Sequence, residues 1–247
     1  MFRKLKKMFY RGFKRDKFQI AKRKGGTFIL NYKNYIDRKI LVDGNYEPEQ
    51  FAMFSKFAAA MGAEYFFDIG ANIGLYTVQM ARVPTIHTIF SFEPMPANRN
   101  QLHANILLNG LDGVAHVHSY ALSNSAGSAV FLQNKGNSTG RSRLKETNTY
   151  SLDNNKFDEV DIETKRLDDF SELKDHKLAI KIDVEGHELM VLQGMPNILK
   201  NNICLLQIEC YTEAESVTDV FLKGAGYSLI ATIHADRYYS NKLQSDS

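Results

Sequence analysis

Cysteine is scarce in this chain and long apolar runs are missing. Its 247 residues hold two cysteines, five prolines and no tryptophan. Cys204 and Cys210 both fall in Ile203-Cys204-Leu205-Leu206-Gln207-Ile208-Glu209-Cys210. In one strand, six residues would separate them by about 20 Å, beyond the reach of a disulfide. That excludes a disulfide-stapled scaffold, and the pair reads as core thiols of a cytoplasmic protein. No apolar run approaches the ~18 residues of a helical membrane span. Cations interrupt any apolar stretch near the N-terminus, so no signal peptide is expected and Asn137-Ser138-Thr139 is taken as a chance glycosylation match. Internal repeats and low-complexity tracts are also missing. What remains is a length suited to one sizeable α/β domain, which needs no disulfide or structural metal to hold its core.

The net charge of +3 hides an uneven distribution. Residues 1–25 carry eleven Lys/Arg against Asp16 alone, a charge of +10, which leaves −7 for residues 26–247. Within that arm Leu5, Met8, Phe9, Gly12 and Phe13 fall on one side of a helix, with Lys4, Lys7, Arg11 and Lys14 around the rest. A basic amphipathic helix of this kind either lies on an anionic membrane surface or packs on its own domain with a solvated face. The expectation is a cytoplasmic protein, peripheral to the inner membrane face if the arm engages lipid. The acidic body speaks against nucleic acid as a partner, which would need a basic groove with stacking aromatics.

Hydropathy patterning divides the chain into the arm (1–25), an extension packing on the core (26–62) and a cofactor-binding domain (63–247). Strands are predicted at Thr27–Tyr32, Glu64–Asp68, Ile86–Phe92, Val114–Leu122, Leu178–Val184, Ile203–Cys210 and Tyr227–Ile233, with a last edge strand near Arg237–Ser240. Helices are predicted at Pro48–Met61, Ile73–Arg82, Pro96–Asn109, His187–Lys200 and Glu215–Lys223. Asp37 to Glu47 reads as a turn-rich approach, and Gln133–Asn155 as a long loop of the kind that covers a site. Repeated β-α-β alternation implies a mostly parallel sheet with helices on both faces. Such sheets bind ligands at the carboxyl ends of their strands, near the switch point.

The first core strand ends in Asp68-Ile69-Gly70-Ala71-Asn72-Ile73-Gly74. A glycine turn there lets backbone N–H groups approach a ligand. A dinucleotide fingerprint starting at Gly70 would need glycine at positions 72 and 75, where this chain has Asn72 and Leu75, so a dehydrogenase is disfavoured. S-adenosylmethionine carries no phosphates and drops that requirement. Asp68, Gly70, Asn72 and Gly74 then form a turn for its amino-acid end. Glu93, 25 residues after Asp68 and at the end of the next strand, suits the ribose hydroxyls. Ala121 and Leu122 are placed to flank the adenine.

These segments, Phe67 to Tyr76, Phe92-Glu93-Pro94, Ala121-Leu122-Ser123-Asn124 and Lys181-Ile182-Asp183-Val184-Glu185-Gly186-His187-Glu188, together with Val191-Leu192-Gln193-Gly194, resemble the FkbM-type methyltransferases. The resemblance covers roughly residues 40–230. It implies a class I methyltransferase Rossmann-like fold with a mostly parallel seven-stranded sheet, S-adenosylmethionine as cofactor, and O-methylation of a sugar, glycan or natural-product hydroxyl. Gly136-Asn137-Ser138 and Ser142 resemble the family's Gly/Ser-rich stretch.

An alcohol attacks a sulfonium methyl only if it is positioned and its proton is taken. Asp183, Glu185 and His187 alternate onto one side in extended geometry, and Glu209 ends the neighbouring strand. Asp183 or His187 is the expected general base, with Glu209 nearby. Alternatively Asp183, Glu185 and Glu209 hold magnesium or manganese through oxygen. Glu185 or His187 would otherwise merely cap the following helix. A catalytically inactive nucleoside- or glycan-binding module is the competing class, and the intact acids speak against it.

Overall fold

A computed structural model describes residues 17–134, 143–144, 157–170, 172–210 and 213–242. The amphipathic stretch at Leu5–Phe13 and the Gly/Ser-rich residues 136–138 and 142 lie outside the described residues. The described residues open with an antiparallel hairpin, β1 (Phe18–Arg23) and β2 (Gly26–Asn31). The basic segment therefore does not remain an arm as far as residue 25. A helix follows, α1 (Tyr35–Asp43), where sequence patterning suggested only turns. Its signals are short ones: the Asn34 side chain accepts from the Ile36 N–H at 3.0 Å, and Gly44 closes the helix in the left-handed region. Next comes α2 (Pro48–Met61), opened by proline as expected.

The core then alternates as predicted, through β3 (Tyr65–Ile69), α3 (Leu75–Met80), β4 (Thr88–Phe92), α4 (Pro96–Leu108) and β5 (Ala115–His118). The single strand expected over Val114–Leu122 breaks at Ser119-Tyr120. Its second half, β6 (Ala121–Leu122), leaves the main sheet and joins β7 (Gly127–Asn134), β8 (Arg143–Leu144) and β9 (Phe157–Lys165) in a small second sheet ordered β6-β9-β7-β8. The expected covering loop thus contains strand at both of its described ends. A short α5 (Leu167–Phe170) leads into β10 (Lys177–Ile182). The helix predicted over His187–Lys200 is two helices, α6 (Glu188–Gln193) and α7 (Pro196–Asn201), broken where Gly194 passes the Ser123 carbonyl and Pro196 restarts the chain. The chain ends through β11 (Ile203–Glu209), α8 (Glu213–Gly224), β12 (Ser228–Ile233) and β13 (Asp236–Ser240).

The main sheet has seven strands in the order β12-β13-β11-β10-β3-β4-β5. Only β13 runs against the others, and it is inserted between β11 and β12. The edge strand on that side is therefore β12, not the last strand. The sheet is mostly parallel and Rossmann-like, with α2, α3 and α4 packed on one face through Phe54, Phe66, Tyr76, Leu102 and Leu205. On the other face α6, α7 and α8 pack through Phe67, Ile180, Val191, Leu199, Leu206 and Leu222. The chain reverses direction of winding between β3 and β10, so their carboxyl ends flank the switch-point crevice.

Candidate functional site

The crevice at that switch point is a pocket walled by the ends of β3, β4, β10 and β11, by the second sheet, and by the loop between α1 and α2. Among the residues expected to hold a cofactor, Gly70, Asn72, Glu93, Ala121 and Leu122 line it. Asp68 and Gly74 do not. Asp68 is 2% exposed and its Oδ2 accepts from the Thr77 N–H at 3.0 Å and the Thr77 hydroxyl at 2.6 Å. It ties the start of α3 to β3 rather than facing a ligand.

The two glycines are also required by the chain itself. Gly70 sits at φ +84°, and a Cβ there would lie 1.9 Å from the Asp183 carbonyl oxygen. Asp183 N–H donates to the Ile69 carbonyl at 3.0 Å, so β3 and β10 are stitched together where a side chain would wedge them apart. Gly74, at φ +81°, would drive a Cβ to 2.3 Å from Leu102 Cδ1 on α4. These packing demands stand beside the close backbone approach to a ligand read from the sequence, for which Gly70 lies in the pocket wall and Gly74 does not.

Glu93, at the end of β4, lines the pocket and is tied to the chain around it. Its Oε2 accepts from the Asn72 N–H at 2.9 Å and its Oε1 from the Met95 N–H at 2.8 Å. Burial pushes its carboxyl up to about 7, against the pull of those N–H groups, Asn98 and Arg99. Asn72 is held in the left-handed region at φ 51°, and its Oδ1 is buried without a hydrogen-bond partner. An orphaned acceptor in a pocket wall costs stability unless a ligand satisfies it. Phe92, Leu122, Phe131 and Leu144 give the same pocket an apolar side. A polar end and an apolar flank fit the chemistry of S-adenosylmethionine, and the residues that would hold it are Asn72, Glu93, Ala121 and Leu122.

At the other side Asp183, Glu185 and Glu209 come together, one carboxylate oxygen of each lying within 4.8 Å of the others. His187 lines the same wall, its Nε2 2.9 Å from the Ser123 hydroxyl. Extended geometry is not what gathers them, because Glu185 (φ 55°) and Gly186 (φ 102°) are left-handed. Nor does the His187 side chain cap α6. Glu188 caps the turn instead, its Oε1 accepting from the Gly186 N–H at 2.9 Å.

Beneath the carboxylates runs a polar row that local pattern did not reveal. Ser91, Asp68, Lys181 and Gln207 are register partners across β4, β3, β10 and β11 and share one face of the sheet. Lys181 is 5% exposed, its Nζ 2.6 Å from Asp183 Oδ2 and 4.6 Å from the centre of the Tyr76 ring. Gln207 donates to Tyr76 Oη at 3.0 Å and to Asp236 Oδ1 at 2.7 Å. Burial alone would raise the Asp183 carboxyl, but Lys181 and a side-chain hydrogen bond with Glu209 outweigh it and hold it below the ordinary range. A lysine inside the apolar run Leu178-Ala179-Ile180-Lys181-Ile182 was the one available signal for this row. Tyr46 and Glu47, which also line the pocket, carried none.

The FkbM methyltransferase domain family matches residues 68–229, a span holding the turn, Glu93 and the carboxylate wall. The chain is 31% identical over 175 residues to Methyltransferase 1 of Beauveria bassiana, a match covering 65% of this chain and 66% of that protein. It is 26% identical over 182 residues to the hexuronic acid methyltransferase AglP of Haloferax volcanii, covering 73% of this chain and 71% of that one. The crystal structure of a methyltransferase FkbM from Methylobacillus flagellatus superposes with a TM-score of 0.49 at 16% identity, covering 83% of this chain and 52% of that one. The family assignment rests on the sequence match, which takes in well over half of the chain. By that match this chain belongs to the FkbM family of S-adenosylmethionine-dependent methyltransferases.

Proposed function

We propose that the protein transfers the methyl group of S-adenosylmethionine to a hydroxyl of a sugar, glycan or natural product. The observation that carries this reading is the single pocket with two unlike walls. Asn72 and Glu93 stand on one side, and Asp183, Glu185, Glu209 and His187 stand on the other. The cofactor, when bound, supplies a positively charged sulfonium with a transferable methyl. Carboxylates near that charge favour its binding, and they accept hydrogen bonds from hydroxyls of an incoming polyol. A hexuronic acid methyltransferase among the relatives supports a carbohydrate acceptor.

Glu93→Ala is expected to weaken S-adenosylhomocysteine binding by about 1.5–3 kcal/mol, since it removes charge-assisted hydrogen bonds to the ribose and loosens the Asn72 turn. Calorimetry reads this directly, and unchanged affinity would remove Glu93 from the cofactor site. Transfer itself is tested with methyl-labelled donor and a panel of neutral glycosides, uronic-acid glycosides and phenols. Labelled ether products support the reading. Labelling of carboxyls or amines alone would overturn it.

The proximity of the Asp183, Glu185 and Glu209 oxygens favours a second reading, in which magnesium or manganese orients the acceptor. Against it, the Lys181 ammonium already supplies positive charge to Asp183 at 2.6 Å. Activity is therefore expected to survive chelator. Loss on chelation with recovery on added magnesium would favour the cation instead.

A further inference from the structure

Asp183 pairs with Lys181, and His187 shares its Nε2 with the Ser123 hydroxyl. The ion pair makes Asp183 a weak base, and the Ser123 hydroxyl occupies the His187 Nε2. A fifth acid enters the pocket, beside Glu93, Asp183, Glu185 and Glu209, from outside the family-matched region. Glu47, in the loop between α1 and α2, lines the pocket together with Tyr46 and Asp183. The same two residues also line an outer, open cavity with Lys39, Asp43, Glu49 and His234. Glu47 thus stands in the wall between the reaction pocket and solvent.

Its backbone is held for that position. Glu47 lies at φ 49°, ψ 51°, left-handed for a residue with a Cβ, and it directly precedes Pro48, which disfavours that conformation further. Strain of this kind persists only where the surroundings over-determine it, and it gathers at functional sites. Resting on the O-methyl-transfer reading, we infer that Glu47 is the proton acceptor for the hydroxyl being methylated. The acceptor O–H proton passes to a Glu47 carboxylate oxygen as the oxygen–carbon bond forms. The methyl–sulfur bond breaks with its electron pair going to sulfur, which leaves neutral S-adenosylhomocysteine, and the proton then leaves Glu47 through the outer cavity.

The electrostatics agree with the geometry. Burial pushes the Glu47 carboxyl up to about 7. Lys181 on β10 and the Tyr46 hydroxyl pull it down, while Asp183 at the end of β10 and Asp236 on β13 push it up. An acid poised near neutrality is both deprotonated enough and basic enough to serve.

The test pairs Glu47→Gln with Glu47→Gly, using the glycoside that wild-type enzyme methylates best. Glu47→Gln is expected to lower kcat by about 10²–10³, with KM and S-adenosylhomocysteine affinity within about threefold of wild type. The wild-type rate should rise with pH through the neutral range, and that limb should vanish in the variant. A readout independent of turnover is carboxyl-carbon NMR of glutamate-labelled protein with S-adenosylhomocysteine. Two resonances, those of Glu47 and Glu93, should titrate near pH 7, and one of the two should be missing in Glu47→Gln. Glu47→Gly relieves the left-handed strain, so it should melt no lower than wild type and be equally slow. Retention of more than about a third of wild-type kcat by either variant, a persisting limb, or no resonance lost in Glu47→Gln would overturn the assignment of Glu47. A wild-type enzyme that methylates no alcohol overturns the O-transfer reading, and the role of Glu47 with it.

Discussion

Lys181→Met is expected to lower the unfolding free energy by about 3–5 kcal/mol, because it leaves buried carboxylates without their counter-charge. Lys181 is enclosed by Asp183, Tyr76, Glu47 and Asp68. Against a total of roughly 5–15 kcal/mol for a domain, that loss would bring the protein near the edge of folding. The pH dependence has a definite sign. Burial pulls the Lys181 ammonium down, but its acidic neighbours outweigh burial and hold it well above the ordinary lysine value. Its contribution is therefore complete below that ordinary value and is lost as pH rises through the raised one. The Asp183 carboxyl is held low, so its share is present above the ordinary aspartate value and is lost as pH falls through the lowered one. The deficit of the variant should be largest at neutral pH and shrink in acid, because without Lys181 burial raises the Asp183 carboxyl and it protonates in the folded variant. Urea unfolding of both proteins at pH 7 and pH 4 measures it. A difference below about 1 kcal/mol at neutrality would mean that water, not Lys181, solvates these acids.

Asp183→Asn is expected to cost about 10²–10³ in kcat, the scale of losing one preorganised charge at a reacting centre. Asp183 ends β10 at the switch point, its carboxyl reaches the pocket, and Lys181 keeps it anionic. The change is nearly isosteric, and Lys181 retains Asp68 and Glu47 as neighbours, so the fold should survive with a modest loss of stability. The pH limb separates this residue from Glu47: it should persist in Asp183→Asn, since the proton acceptor is still present. Steady-state kinetics on folded variant protein decide the matter. Full activity would remove Asp183 from the chemistry, and loss of the limb would make Asp183 itself the base.

Local sequence determined the alternation of strands and helices in the core and the strand ends at which the pocket lies. Proline at the starts of α2 and α4, apolar runs for β3, β4, β10 and β11, and acids at strand ends are all local signals. The rule that parallel sheets bind at their carboxyl ends turned them into a pocket containing Glu93, Asp183, Glu185 and Glu209. The family motifs pointed the same way. Tertiary structure alone decided what depends on register between distant segments. It showed that Asp68 accepts from Thr77, whose hydroxyl in turn meets Ser91, away from the pocket, and that Gly70 answers to the Asp183 carbonyl. It also inserted β13 inside the sheet and carried β6 into a second one. Periodicity says which face of an element is apolar, but not which partner that face will meet. The Asp68–Lys181–Gln207 row joins residues up to 139 positions apart, and Glu47 shares a pocket with Asp183 and feels the Lys181 charge because the loop before α2 lines the crevice. Such electrostatic neighbourhoods, and the left-handed backbone at Glu47, arise from packing and have no local signature in the chain.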